Sequence, residues 1–128
     1  MLREKIVDAA AARFAVIADE IKIMSSLAAA PLVPVEVIPF GWSRTALALE
    51  RLGARVARRQ RLDEPNAPVV TDGGHYILDC HFDDLSDPMT TAGRIKALTG
   101  VVEHGLFIGL ATEAIVGAAD GSVRVLRS

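Results

Sequence analysis

Two charged side chains stand out for the chemistry they could do. Glu4 lies in the Arg3-Glu4-Lys5 run that opens an alanine-rich helical stretch. A carboxylate in a first helical turn could act as a proton acceptor if an apolar pocket raised its pKa towards neutrality. The simpler reading is an acid that complements the positive end of a helix dipole. Lys22 follows an apolar run closed by Asp19-Glu20, the place where α/β sites tend to lie. An ammonium there could hold an anion, although a solvated loop lysine looks the same in a sequence.

Asp79 and His81 alternate with Cys80 on a β-prone run and, with His75 or His104, offer metal-ligand types. Their spacing alone carries little, and the simpler reading is a set of satisfied strand residues. Arg55, Arg58, Arg59 and Arg61 form a basic run without interleaved aromatics, which reads as a solvated strand face or an interface. No glycine-rich phosphate loop or nucleophile elbow occurs.

The elements that must position these residues follow from the hydrophobic pattern. Leu2, Ile6, Val7, Ala10 and Phe14 recur at helical spacing, with Arg3, Lys5 and Asp8 expected on the outer side. No capping residue precedes this helix, which hints at missing upstream sequence. Phe14–Ala18 reads as a buried parallel strand, and residues 24–32 as a connector. Val33–Phe40, fenced by Pro34 and Pro39, reads as a short strand that opens a second unit. Ser43–Leu52 reads as a helix with Ser43 as N-cap and Gly53 as its stop. Ala54–Gln60 and His75–Phe82 read as strands, the latter with Tyr76, Leu78 and Cys80 on one face. Asp87-Pro88 starts a helix whose apolar face is Met89, Ala92, Ile95, Ala97 and Leu98. Val101–Ile108 reads as another strand. Ala114–Gly117 and Val123–Leu126 form a hairpin around Asp120-Gly121.

The order from residue 33 to 104 is βαββαβ, which predicts a ferredoxin-like antiparallel sheet with two helices on one face. The fold class is thus α/β with α+β. A partial Rossmann-like layer (1–32 and 105–128) carries the subdomain at 33–104. The chain has 128 residues, 51% of them hydrophobic, and a formal charge of −2. That charge gives no general attraction to nucleic acid or anionic membrane, and no apolar stretch reaches a membrane span. The single cysteine, Cys80, excludes an internal disulfide. A cytoplasmic protein is expected.

Several runs resemble the type A ribose-5-phosphate isomerase family: Leu-Arg-Glu-Lys-Ile-Val (2–7), Val-Ile-Ala-Asp-Glu-Ile-Lys (16–22) and Pro-Val-Glu-Val-Ile-Pro-Phe (34–40). So do Val-Thr-Asp-Gly-Gly-His-Tyr-Ile-Leu-Asp (70–79), Gly-Val-Val-Glu-His-Gly-Leu-Phe (100–107) and Ile-Val-Gly (115–117). The resemblance implies cofactor-free interconversion of ribose 5-phosphate and ribulose 5-phosphate, with Glu4 as proton acceptor and Lys22 as substrate contact. It also implies a homo-oligomer. The chemistry is an enediolate proton transfer, needing one carboxylate and groups that stabilise the developing oxyanion.

The chain departs from the pattern at Ile21, where serine is usual, and at Gly73 and His75, where asparagines are common. The family's phosphate loop and glycine-rich segment have no counterpart, so the chain reads as the carboxyl-terminal half of the family sequence, inactive or nearly so alone. The rival reading is a non-catalytic ferredoxin-like module for assembly or small-molecule sensing.

Overall fold

The computed structural model describes residues 1–23 and 32–127. The connector expected at 24–32 lies, apart from Leu32, outside the described residues. The chain is a mixed α/β structure: α1 (Leu2–Ala10), β1 (Ala15–Asp19), a 3-10 turn (Glu20–Lys22), β2 (Val33–Val37), α2 (Trp42–Glu50), β3 (Ala54–Arg58), β4 (Tyr76–Phe82), α3 (Pro88–Lys96), β5 (Val101–His104), β6 (Glu113–Gly117) and β7 (Val123–Arg127). The strands form two sheets, one ordered β1-β6-β7 and the other β3-β4-β2-β5.

The larger sheet is antiparallel throughout, with β2 pairing β4 on one side and β5 on the other. Alternation along β2 sends Val33, Val35 and Val37 to one face, where they are at most 2% exposed. There they join Leu78, Cys80 and Phe82 of β4, Leu49 of α2 and Ile95 of α3 in a single core. That core stabilises the larger sheet and the two helices packed on it through removal of aliphatic surface from water. The other face carries Pro34, Glu36, Asp79 and, on the neighbouring strand, Glu103. Its occupant is α1, which packs on β5.

Local chemistry adjusts several expected boundaries. Gly41 adopts a left-handed conformation (φ 71°) that turns the chain sharply, so α2 starts at Trp42 and Ser43 lies inside its first turn instead of capping it. Asp87 does cap α3, accepting the Thr90 N–H at 3.0 Å, with Pro88 at the first position. Pro34 was expected to fence β2 but lies within it. Proline lacks a donor but keeps its acceptor, and that carbonyl takes the Gly105 N–H at 2.8 Å. β5 stops at His104, short of the expected Ile108.

The smaller sheet differs more from expectation. β1 pairs β6 in parallel, Ala15 opposite Glu113 through Asp19 opposite Gly117, and β7 closes a hairpin on β6. The strand expected to be buried is largely exposed, however, with Ile17 at 80%. The helix is turned over as well. Ile6 and Val7 face outward, while Asp8 and the Lys5 side chain, expected outside, face the body of the protein. An apolar stripe needs a surface to bury against, and among the described residues nothing covers this one. Polar partners on β5 set the helix orientation instead. Met89, expected on the buried face of α3, is also exposed.

Candidate active site

Glu4 occupies the first turn of α1, at the mouth of a cleft of about 330 Å³ between that turn and the outer face of the large sheet. The sheet contributes Pro34, Glu36, Arg59 and Ile77, and the 71–73 loop forms the remaining wall. This loop is fixed by its own hydrogen bonds. The Thr71 N–H donates to the His75 carbonyl at 2.8 Å, and the His75 N–H donates to the Thr71 hydroxyl at 3.1 Å.

Glu36 anchors the loop to the sheet. Its carboxylate, nearly buried, accepts the Thr71 hydroxyl at 2.8 Å and lies 2.9 Å from His75 Nδ1. A buried carboxylate needs such partners, since an unpaired one would be costly. Arg59 lies in the cleft wall with its guanidinium laid across Asp79, Nε to Oδ2 at 3.0 Å and Nη2 to Oδ1 at 2.5 Å, in two-pronged geometry. Arg3 reaches Asp72 at 3.0 Å across the mouth, with both side chains mostly in solvent.

The environment of Glu4 is not the apolar one that would raise its pKa. The carboxylate is exposed and paired with the Met1 amine. The hydrogen bond from that amine, then the helix's own backbone N–H, hold it below the usual carboxylate range. Glu4 is therefore an ionised, solvent-accessible acceptor at neutral pH.

Lys22 closes the 3-10 turn that follows β1, a turn capped by Asp19, which accepts the Ile21 N–H at 3.0 Å. It is exposed, and it does not line the Glu4 cleft. Of the residues weighed as metal ligands, Asp79 is held by Arg59, and His81 lies 3.6 Å from Asp83. Among the described residues no group of three or more His, Cys, Asp or Glu side chains is placed to hold a metal ion.

Comparison with known proteins assigns the family. Residues 1–121 match the model of ribose 5-phosphate isomerase A (phosphoriboisomerase A). The chain belongs to the ribose 5-phosphate isomerase A family. It is 48% identical to ribose-5-phosphate isomerase A of Gloeobacter violaceus over 126 residues, covering 98% of this chain and 53% of that protein. The Haloarcula marismortui enzyme of the same name is 50% identical over 125 residues, covering 97% and 54%. Among solved structures, ribose 5-phosphate isomerase A from Methanocaldococcus jannaschii superposes with a TM-score of 0.91 at 33% identity, covering 99% of this chain and 55% of that one. The chain thus spans about half the length of the family members it matches.

Glu36, Thr71 and Arg59 were not singled out from the sequence as cleft residues. The signals were present: Glu36 is the one charge in an apolar strand, and Thr71-Asp72-Gly73-Gly74 is turn chemistry. Neither pattern says that the turn folds back onto the strand 35 positions earlier.

Proposed function

We propose that this chain carries the proton-transfer base of an enzyme that interconverts ribose 5-phosphate and ribulose 5-phosphate. The observation that carries the reading is family membership, with Glu4 of the Arg-Glu-Lys motif standing ionised at an open cleft. Glu4 takes the proton from the carbon beside the carbonyl and returns it to the neighbouring carbon. An enediolate forms between the two steps, and the hydroxyl proton passes to the former carbonyl oxygen, so that hydroxyl and carbonyl exchange places. Lys22 is the proposed substrate contact, an ammonium suited to a phosphate or a developing oxyanion. Remaining family length is expected to supply the grip on the phosphate, so the 128 residues alone turn over slowly or not at all.

The proposed architecture has two parts. The 33–104 unit is read as a ferredoxin-like subdomain, supported by its βαββαβ order and the β3-β4-β2-β5 sheet. Residues 1–32 and 105–128 are read as a partial α/β layer, supported by the parallel β1–β6 pair. The edge of β1, unpaired among the described residues, and the outward-facing Ile6, Val7, Ile17 and Ile21 favour association with a second copy. The same surface favours the rival reading, an assembly module without catalysis.

Glu4→Gln separates the two. Isomerisation of ribose 5-phosphate by this chain joined to the rest of a family-length polypeptide is expected to fall to background with the circular dichroism spectrum unchanged. Undiminished turnover in the variant removes Glu4 from the chemistry. Sedimentation velocity reads the association, and a monodisperse monomer removes it.

A further inference from the structure

We propose that Lys5 is a positioning residue, pinning the first turn of α1 to β5 and so holding Glu4 at the cleft. The inference rests on the reading of Glu4 as the base. It starts from the inverted orientation of α1, which presents Ile6 and Val7 to solvent and turns Lys5 inward.

A lysine side chain only 12% exposed loses most of its hydration, a cost that must be offset by well-placed acceptors. Lys5 finds them all on β5. Its ammonium lies 2.9 Å from Glu103 Oε1, 2.6 Å from the His104 carbonyl oxygen and 3.1 Å from His104 Nδ1. Three donors thus meet three acceptors. The Phe107 ring, its centroid 5.1 Å away, adds a cation–π contact. The Leu106 N–H also points to His104 Nδ1, at 3.3 Å, so this nitrogen is the acceptor of a neutral imidazole. Burial, and then the Lys5 charge, keep His104 in that neutral form by lowering its pKa. Glu103 is fixed in turn, its second oxygen 3.0 Å from Lys96 of α3.

Successive side chains on a helix leave its axis about 100° apart. Fixing the direction of Lys5 therefore fixes that of Glu4 on the adjoining flank, towards the 71–73 loop. The other tie in this turn, Arg3 to Asp72, joins two side chains 73% and 78% exposed, and exposed pairs of this kind hold little. Lys5 itself does not line the Glu4 cleft, so it acts through the helix and not on substrate.

The test compares Lys5→Met, of similar length without charge, and Glu103→Gln with the wild-type chain by nuclear magnetic resonance and by assay. In wild type, nuclear Overhauser contacts are expected between the Leu2–Glu4 turn and the Thr71–Gly73 loop. Lys5→Met is expected to lose them while the β4 amides keep their protection against hydrogen exchange. In family-length protein, kcat for ribose 5-phosphate should drop at least about tenfold with KM within about twofold. Glu103→Gln should move both readouts in the same direction by less, and the double variant should be no worse than Lys5→Met. Retained contacts in Lys5→Met overturn the proposal. So does their loss together with β4 protection, which would make Lys5 a residue of general stability. Wild-type turnover in Glu4→Gln defeats the base reading instead, and the contacts still decide whether Lys5 clamps the helix.

Discussion

Gly105 and Pro34 meet closer than any other residue type at 105 would allow. The Gly105 N–H donates to the Pro34 carbonyl at 2.8 Å, and a Cβ at 105 would stand 2.6 Å from Pro34 Cγ and 2.7 Å from Cδ. The contact lies where β5 leaves the sheet beside β2, and a proline ring within a strand cannot swing aside. Gly105→Ala is expected to destabilise the fold by about 1–3 kcal/mol, the usual range for overpacking. Thermal unfolding followed by circular dichroism would register a midpoint lowered by several degrees. An unchanged midpoint would mean that β5 shifts freely against β2.

Acid should weaken the attachment of α1 to β5. Burial works to raise the Glu103 pKa, but the His104 N–H and the Lys5 and Lys96 ammonium groups outweigh it, bringing the carboxyl from 4.5 down to about 2. A depressed folded-state pKa contributes stability that is complete above the unfolded value and lost as pH falls through the folded one. The loss should therefore run between about pH 4.5 and pH 2. Urea midpoints measured from pH 6 to pH 2 should fall less steeply in Glu103→Gln than in wild type. Parallel curves would show that the network stores no such energy.

Cys80 should be chemically silent in the folded protein. It is fully buried in the sheet core, and burial, followed by the nearby Asp79 charge, pushes its thiol up to about 12. A disulfide reagent at pH 8 should label no thiol in native buffer and one per chain in denaturant. Rapid native labelling would indicate that the β2–β4 core opens readily.

Asp87 satisfies an otherwise unpaired N–H in the first turn of α3. Asp87→Ala should cost about 1 kcal/mol, and Asp87→Ser should recover most of it, as measured by chemical denaturation. Equal stability of all three would leave Pro88 as the feature that starts the helix.

The large sheet was legible because its residues obey local rules. Val33, Val35 and Val37 alternate with Pro34 and Glu36, the Asp87-Pro88 pair announces α3, and Asp120-Gly121 announces the final turn. The first helix was misjudged for a physical reason. Its period was read correctly, but period alone does not say which stripe faces inward. Here the inward face is set by Glu103 and His104, nearly a hundred positions away. Glu4 was a candidate from its place in the Arg-Glu-Lys run, whereas the cleft beside it was not legible, because the opposite wall comes from a turn that Glu36 draws back onto the sheet.

The parallel pairing of β1 with β6 has a consequence for the order in which the molecule is assembled. Phe14 reaches its partner Thr112, and Lys5 reaches Glu103, each across 98 positions of chain. All four strands of the larger sheet, by contrast, come from residues 33–104. Residues 2–19 leave the ribosome before any of those distant partners exists, and such non-local contacts are slow to form. Vectorial synthesis thus completes the middle of the chain first. The residue proposed to do the chemistry is among the last to be set in place.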